Sequence, residues 1–404
     1  MIRRLEIENF YSIRQTQVID LTINAGVPDE DGRFGKLRDG SGFRVPRTVS
    51  IFGANASGKS NALRALSFLR WFLVDSFETP PDAPLPILRF ADGNQAPARI
   101  KVYFESSANY EDRAPTNGPF AQYSYEVNIG PSPGRPNVVL FEELRQLPVK
   151  GKSRRIFVRN ENGSVEGGTG LSLKGLSQIL ANLRPNVSAT SMIAQFTGNV
   201  PIAGLLAWAK SISSNVAPGN YEKADKGAAT KAYAENSLMR SHLQGVIAKL
   251  DFGIQGINLR ETPEGIQPEF VHYGLSSPLR LNGESEGTRQ FYCMLPTIWH
   301  AMEASRGGIA VVDEIDSTIH PAILPAVLQW FYAPTNMTGA QLWFSGHSIS
   351  LLEELRKEEI FFTEKDGQGR TSIYGLKDIE GVRRVDNFYQ KYLGGVYGAV
   401  PRIG

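Results

Sequence analysis

Apolar and polar residues alternate with a period of two through much of the first part of the chain. Residues 3–10 put Leu5, Ile7 and Phe10 on or near one face and Arg4, Glu6 and Glu8 on the other, which predicts a half-buried strand. Residues 15–21 predict a second strand. A charged, glycine-rich stretch over 24–44 reads as a long exposed loop. A short buried strand follows at 49–52, then a run of helix formers from Lys59 to about Phe77, stopped by Pro80-Pro81. Strands are predicted at 99–105, 122–129, 138–147 and 155–159, joined as antiparallel hairpins with turns at Asn117-Gly118 and at 131–136.

The period then changes. From Leu171 to about Leu250, apolar residues recur at three- and four-residue spacing, as in IAGLLAWAKSI, and strand signals vanish. This predicts a helical insertion at 171–250 between two halves, 1–170 and 251–404. Its heptads are too sparse for a long coiled coil. Strand signals return at 253–260, 269–273, 308–315 and 342–345, and no internal repeat or low-complexity tract interrupts them.

Composition changes this picture little. The 404 residues are 41% hydrophobic and 21% charged, as expected of a globular chain with a full core. With 43 basic and 41 acidic residues the formal net charge is +2, which argues against a nucleic-acid coat along the whole chain but allows a local basic groove. The one cysteine, Cys293, builds neither a disulfide framework nor a cysteine-rich metal site. There is no apolar leader pattern in MIRRLEIENF and no apolar run long enough to span a bilayer, so the expectation is a soluble, cytoplasmic protein without a membrane partner.

The most specific chemistry lies at VSIFGANASGKSNALRAL, where a strand, a glycine-bracketed turn and a helix follow one another. The turn fits G-x-x-x-x-G-K-[ST] at every fixed position. Glycines let the backbone turn its N–H groups inward as an anion nest, and the helix aims its positive end at the same point. Gly53, Asn55, Gly58, Lys59, Ser60 and Asn61 are the candidate nucleotide-binding residues, with Lys59 on the β- and γ-phosphates of ATP and Ser60 on Mg²⁺.

GIAVVDEI then reads as a buried strand with two acids at its tip. Asp313 is suited to the metal shell and Glu314 to polarising a water. In NGESEGTR, Ser285 and Thr288 are good helix N-terminal residues and Gly287 allows close approach; simple helix capping accounts for the same letters. Further on, the short strand at 342–345 leads into Gly346-His347-Ser348, where capping of a strand-to-helix turn accounts for the histidine.

The order P-loop, insertion, S-x-G, Asp-Glu strand, Asp316 and His347 resembles the ABC-type ATPase heads of the SMC and RecF group. The phrases IENFYSIR, DEIDSTIHP, FSGHS and YLGGVYGAVPRIG look most like the OLD-related, RloA-like ATPases of bacterial phage-defence loci. The resemblance covers about 1–160 and 250–404 and implies an α/β fold: an ABC-type P-loop nucleotide-binding head with an antiparallel β subdomain and a helical insertion. It implies that Lys59 and Ser60 bind phosphate and Mg²⁺, that Asp313 sits at the metal, and that Glu314 is the general base. His347 would be the γ-phosphate switch. Ser285 and Gly287 would cap the ATP of a second copy, with Asp316 at the seam of that homodimer. Two departures stand out: Glu286 replaces the glycine of transporter-type signatures, and only Gln95 offers itself as a Q-loop glutamine.

OLD nucleases carry a metal-binding TOPRIM domain. Glu358, Glu359, Glu364, Asp366, Asp378 and Glu380 are scattered here with no D-x-D spacing. The expected role is therefore an ATPase that hands its output to a separate effector protein. A RecF-like DNA-binding clamp is the alternative, with Arg145, Lys150, Lys152, Arg154, Arg155 and Arg159 as a basic edge, although a solvated hairpin turn gives the same pattern. A transporter's ATPase subunit is a third, weaker reading.

Overall fold

The structure, a computed structural model, describes residues 1–107, 120–218, 226–249, 253–304, 307–317, 319–333, 336 and 339–401. Strands β1 (Ile2–Glu8) and β2 (Gln17–Asp20) form where predicted and pair antiparallel, with Leu5 and Ile7 buried; Glu6, read on the polar face, is buried too and pairs with Arg4 and Arg99. The stretch expected to be a long loop holds a small hairpin, β3 (Phe34–Lys36) with β4 (Arg44–Pro46). Phe34 and Leu37 are buried there, two apolar anchors hidden in a glycine- and charge-rich sequence. The P-loop unit is β5 (Thr48–Gly53) followed by α1 (Lys59–Val74), which ends a few residues before the predicted stop.

Next come β6 (Ala98–Ser107), β7 (Phe120–Ser132), β8 (Arg135–Leu147), β9 (Arg154–Arg159) and β10 (Val165–Gly167). They extend β1 and β2 into a seven-stranded antiparallel sheet in the order β10-β9-β8-β7-β6-β1-β2. The turn predicted over 131–136 is tighter than read. Ser132 pairs with Arg135, leaving Pro133-Gly134 as the turn. The Asn117-Gly118 turn lies outside the described residues.

The segment read as helical holds α2 (Ser177–Ala181), α3 (Ala189–Phe196), α4 (Val200–Lys210), α5 (Lys226–Glu235) and α6 (Ser237–Lys249). It also holds a strand that the sequence reading missed, β11 (Ile212–Ser214). β12 (Ile254–Thr262), β13 (Gly265–His272) and β14 (Leu279–Arg280) form a three-stranded antiparallel sheet, and α7 (Glu286–Glu303) follows. Then come β15 (Ile309–Val312), α8 (Leu324–Tyr332), β16 (Gln341–Ser345), β17 (Ile360–Lys365) and β18 (Thr371–Gly375).

The central sheet runs β11-β15-β16-β5-β17-β18, parallel except for the antiparallel β17–β18 pair. Both of its faces are covered, and successive residues alternate between two cores. Val49, Ile51, Ile309, Val311 and Trp343 pack with α1 and the seven-stranded sheet. Phe52, Ala310, Val312, Leu342 and Phe344 pack with residues of α5 to α8. Helix α1 is buried around most of its circumference because it lies between two sheets, and Ala62, Leu63, Ala65, Leu66, Phe68 and Leu69 all lie in that core. The fold is thus α/β, with a P-loop on the middle of a largely parallel sheet and an antiparallel β subdomain stacked over it. Among the described residues no helix is long and apolar enough to cross a membrane.

Candidate functional site

The P-loop leaves β5 at Gly53 (φ 151°), passes Ala56 (φ 60°) and reaches Gly58 (φ 109°), the residue before α1. These positive angles fold the chain back on itself at the mouth of a helix, as an anion nest requires. A side chain at Gly58 would collide with Thr371, and one at Gly53 with Thr363. Lys59 lies across the loop, its Nζ donating to the carbonyls of Gly53 at 2.9 Å and Ala54 at 3.1 Å. Burial lowers its pKa, while Asp313, Glu314 and Asp316 pull the other way.

The hairpin of β17 and β18 braces this loop from behind. Thr371 Oγ1 donates to the Ser57 carbonyl at 2.7 Å, and the Ser57 and Thr363 hydroxyls lie 2.6 Å apart. Ser12, beside β1, pairs with the Thr371 hydroxyl at 2.7 Å and accepts from Asn61 Nδ2 at 2.7 Å. Asn61 in turn accepts from Arg64 at 3.0 Å.

Two adjacent parallel strands, β15 and β16, deliver the acids. Ser60 Oγ donates to Asp313 Oδ1 at 3.0 Å, joining the first turn of α1 to the tip of β15. Ser345, at the end of β16, donates to the same oxygen and accepts from the Glu314 N–H at 2.8 Å. Asn215, just after β11, grips the main chain of Asp313 at both ends, accepting from its N–H at 2.8 Å and donating to its carbonyl at 3.2 Å. Glu314 has φ 51°, a left-handed conformation uncommon for a residue with a side chain. Gln290 of α7 donates to its carbonyl at 3.0 Å.

A cavity of about 820 Å³ opens over the loop, lined by Asn55, Gly58, Lys59, Ser60 and Asn61, and also by Glu314 and His347. Its far wall is apolar and aromatic, with Tyr11, Leu88 and Phe90, and Arg64 lies over the Tyr11 ring at 5.0 Å. Lys365 and Gln368, of the β17–β18 hairpin, close another side. The sequence reading assigned none of these six residues a role, although Tyr11 falls in IENFYSIR and Arg64 in VSIFGANASGKSNALRAL.

Other sequence-predicted residues fall elsewhere. Ser285 is the N-cap of α7, its hydroxyl accepting from Thr288 N–H at 3.1 Å, and neither it nor Gly287 lines the cavity. Glu286 is exposed and paired with Arg289 one turn on, so its charge is answered within its own helix. Asp316 faces inward, its Oδ2 accepting from the N–H groups of His347, at 2.6 Å, and Ser348. Gln95 is exposed and does not line the cavity. Thr318 of DEIDSTIHP and residues 402–404 of the GAVPRIG phrase lie outside the described residues. Half of the basic edge is spent internally: Arg159 is buried and donates to the carbonyls of Val187 and Arg184, while Arg145 and Arg155 both pair with Glu143. Lys150, Lys152 and Arg154 remain exposed.

The donor set fits a nucleoside triphosphate and a hard divalent cation. A loop of positive backbone angles at a helix N-terminus and a lysine resting on carbonyls suit phosphate; a hydroxyl beside a carboxylate suits the cation.

A family model described as "AAA domain, putative AbiEii toxin, Type IV TA system" matches residues 49–166 and 218–353, more than half of the 404 residues. No curated protein matches the sequence significantly. Among solved structures, an SMC head bound to the C-winged helix domain of ScpA is 17% identical, with 93% of this chain and 97% of that chain covered and a TM-score of 0.43. The SMC head domain from Thermotoga maritima is 15% identical, covering 93% of this chain and 98% of that one, with a TM-score of 0.41. An SMC head with an extended coiled coil, bound to the C-terminal domain of ScpA from Pyrococcus furiosus, is 14% identical, with 93% and 96% covered and a TM-score of 0.40.

Proposed function

This chain belongs to the AAA-domain family of that description, and on that premise we propose that it is an ATP-hydrolysing switch whose sites are completed when two copies pair. One observation carries the reading. The P-loop, Glu314 and His347 line one cavity, with Asp313 hydrogen-bonded to the P-loop's Ser60, while the Ser285 cap lies outside it.

Lys59 would move from the loop carbonyls to the β- and γ-phosphates, and the loop N–H groups would hold the same oxygens. Tyr11, Leu88 and Phe90 offer the base a flat apolar wall. Ser60 and Asp313 are the residues that would hold Mg²⁺, which when bound neutralises charge on the phosphates. The Glu314 carboxylate would take a proton from the attacking water, and His347, which lines the same cavity, would contact the γ-phosphate. Ser285 and Gly287 of one copy would then cap the ATP of the other, around a two-fold axis.

In the cell, this switch would pass its state to a separate effector in a bacterial anti-phage defence or restriction system. The family's description speaks of a toxin and of a toxin–antitoxin system, which suits a chain that answers to a second protein. The RecF-like DNA-binding reading is weaker, because half of the basic edge, Arg145, Arg155 and Arg159, is engaged by Glu143 and by backbone carbonyls.

The test is light scattering of the Glu314→Gln protein with ATP and with ADP, alongside its turnover. A positioned base contributes roughly 10²–10⁴-fold, so turnover should fall in that range while ATP binding persists. ATP, and not ADP, should double the mass. A parent protein that hydrolyses ATP at full rate as a strict monomer would remove the paired-copy reading, and a Glu314→Gln variant with near-parental turnover would remove Glu314 as base.

A further inference from the structure

Glu314 occupies a left-handed backbone conformation, φ 51°, that a side-chain-bearing residue adopts only when its surroundings hold it there. Its N–H donates to Ser345 Oγ at 2.8 Å. Its carbonyl accepts twice, from Ser317 N–H at 3.1 Å across a tight turn and from Gln290 Nε2 at 3.0 Å. The same Gln290 amide accepts from the Ser317 hydroxyl through Oε1 at 3.0 Å. One side chain thus spans the turn from Glu314 to Ser317, donating at one end and accepting at the other. Glutamine suits this place because a single neutral group supplies both a donor and an acceptor.

The Ser345 contact comes from the strand beside β15 and is part of the sheet. The Gln290 contact comes from α7, the helix capped by Ser285. Cap and amide are five positions apart, about 7.5 Å along a helix axis. A helix transmits displacement along its length, so a shift imposed on its exposed cap reaches the Gln290 amide.

We propose that Gln290 is a positioning residue that holds the Glu314 turn in its working conformation and makes that conformation depend on where α7 sits. The proposal rests on the reading of Glu314 as general base and of Ser285 as the cap over a partner's ATP. It adds that docking at the cap of one copy is felt at the base of the same copy, which serves the other ATP of the pair.

The experiment compares Gln290→Leu, Gln290→Glu and Ser317→Ala with the parent in three measurements: ATP affinity by calorimetry, kcat and KM from phosphate release, and ATP-driven association by light scattering. Gln290→Leu removes both bonds. Gln290→Glu keeps the acceptor for Ser317 and the shape of the residue but loses the donor to the Glu314 carbonyl. Misplacement of a catalytic group by about 1 Å costs about 10²-fold, so both should lose turnover on that scale. KM, ATP affinity and the ATP-driven dimer should stay within a few-fold of the parent. Ser317→Ala, which leaves the donor in place, should stay within a few-fold in turnover as well.

Near-parental kcat in both Gln290 variants would overturn the proposal. So would parallel loss of ATP affinity and association in Gln290→Glu, which would make the residue a structural support. Normal turnover of Glu314→Gln in the same assay would instead strike the general-base reading on which the proposal stands.

Discussion

Lys59 is a buried cation whose counter-charges, at rest, are loop carbonyls and three nearby carboxylates. Lys59→Ala should leave the far-UV spectrum unchanged and abolish ATP binding in calorimetry. Since burial lowers the Lys59 pKa and only the charged form attracts phosphate, ATP affinity should be level at neutral pH. It should then fall as pH rises through that lowered value, earlier than an ordinary lysine would allow. A parent whose affinity stays flat well into the alkaline range would argue that the ammonium is dispensable. The sequence showed this residue because its neighbours in the chain are also its partners in space. Asn215, Gln290 and Ser345 were invisible for the opposite reason. The role of each arises from an acid 98, 24 or 32 residues away. Asp316 could be placed near the site from its position after Glu314. The direction of its carboxylate, toward the backbone of the His347 loop, depends on how β15 and β16 pair.

Periodicity revealed long elements well and short ones poorly. The longer strands of the antiparallel sheet were readable from their alternation, whereas its three-residue edge strand β10 was missed. β11 has three residues, two of them serine, and follows a helix directly, so its letters read as a helix end. Its membership in the sheet comes from β15, against which Ile212, Ser213 and Ser214 are in register with Ile309, Ala310 and Val311. The β17–β18 hairpin gave no sign that it braces the P-loop, since threonine is ordinary in a strand. Thr371 is buried and holds the Ser57 carbonyl across 314 residues of sequence. Thr371→Val keeps the shape and removes the donor, leaving a buried acceptor unmet, at a cost of about 1–3 kcal/mol. Chemical denaturation should show that loss, and ATP should bind more weakly because the loop has lost its rear support. Unchanged stability with unchanged ATP affinity would mean the hairpin merely lies alongside.

Two copies facing each other would each lend a cap and each keep a P-loop, and this is the scale at which Ser285 acquires its meaning. The residue is exposed, at the start of a helix, and outside its own cavity. Ser285→Arg should bind ATP as a monomer like the parent and hydrolyse almost none. Mixed with Lys59→Ala, it should regain turnover, because a mixed pair contains one intact P-loop opposite one intact cap. Additive, near-zero rates in the mixture would refute the crossed arrangement. The strand order also bears on how such a molecule is made. β5 lies between β16 and β17, which come from Gln341–Ser345 and Ile360–Lys365. A ribosome adding about 5–20 residues per second therefore releases the P-loop sequence long before either flanking strand exists. The antiparallel sheet draws its strands from residues up to Gly167 and can pair first. During that interval the nascent chain carries the motif without the sheet that bends it, so nucleotide capture waits until translation has passed β17.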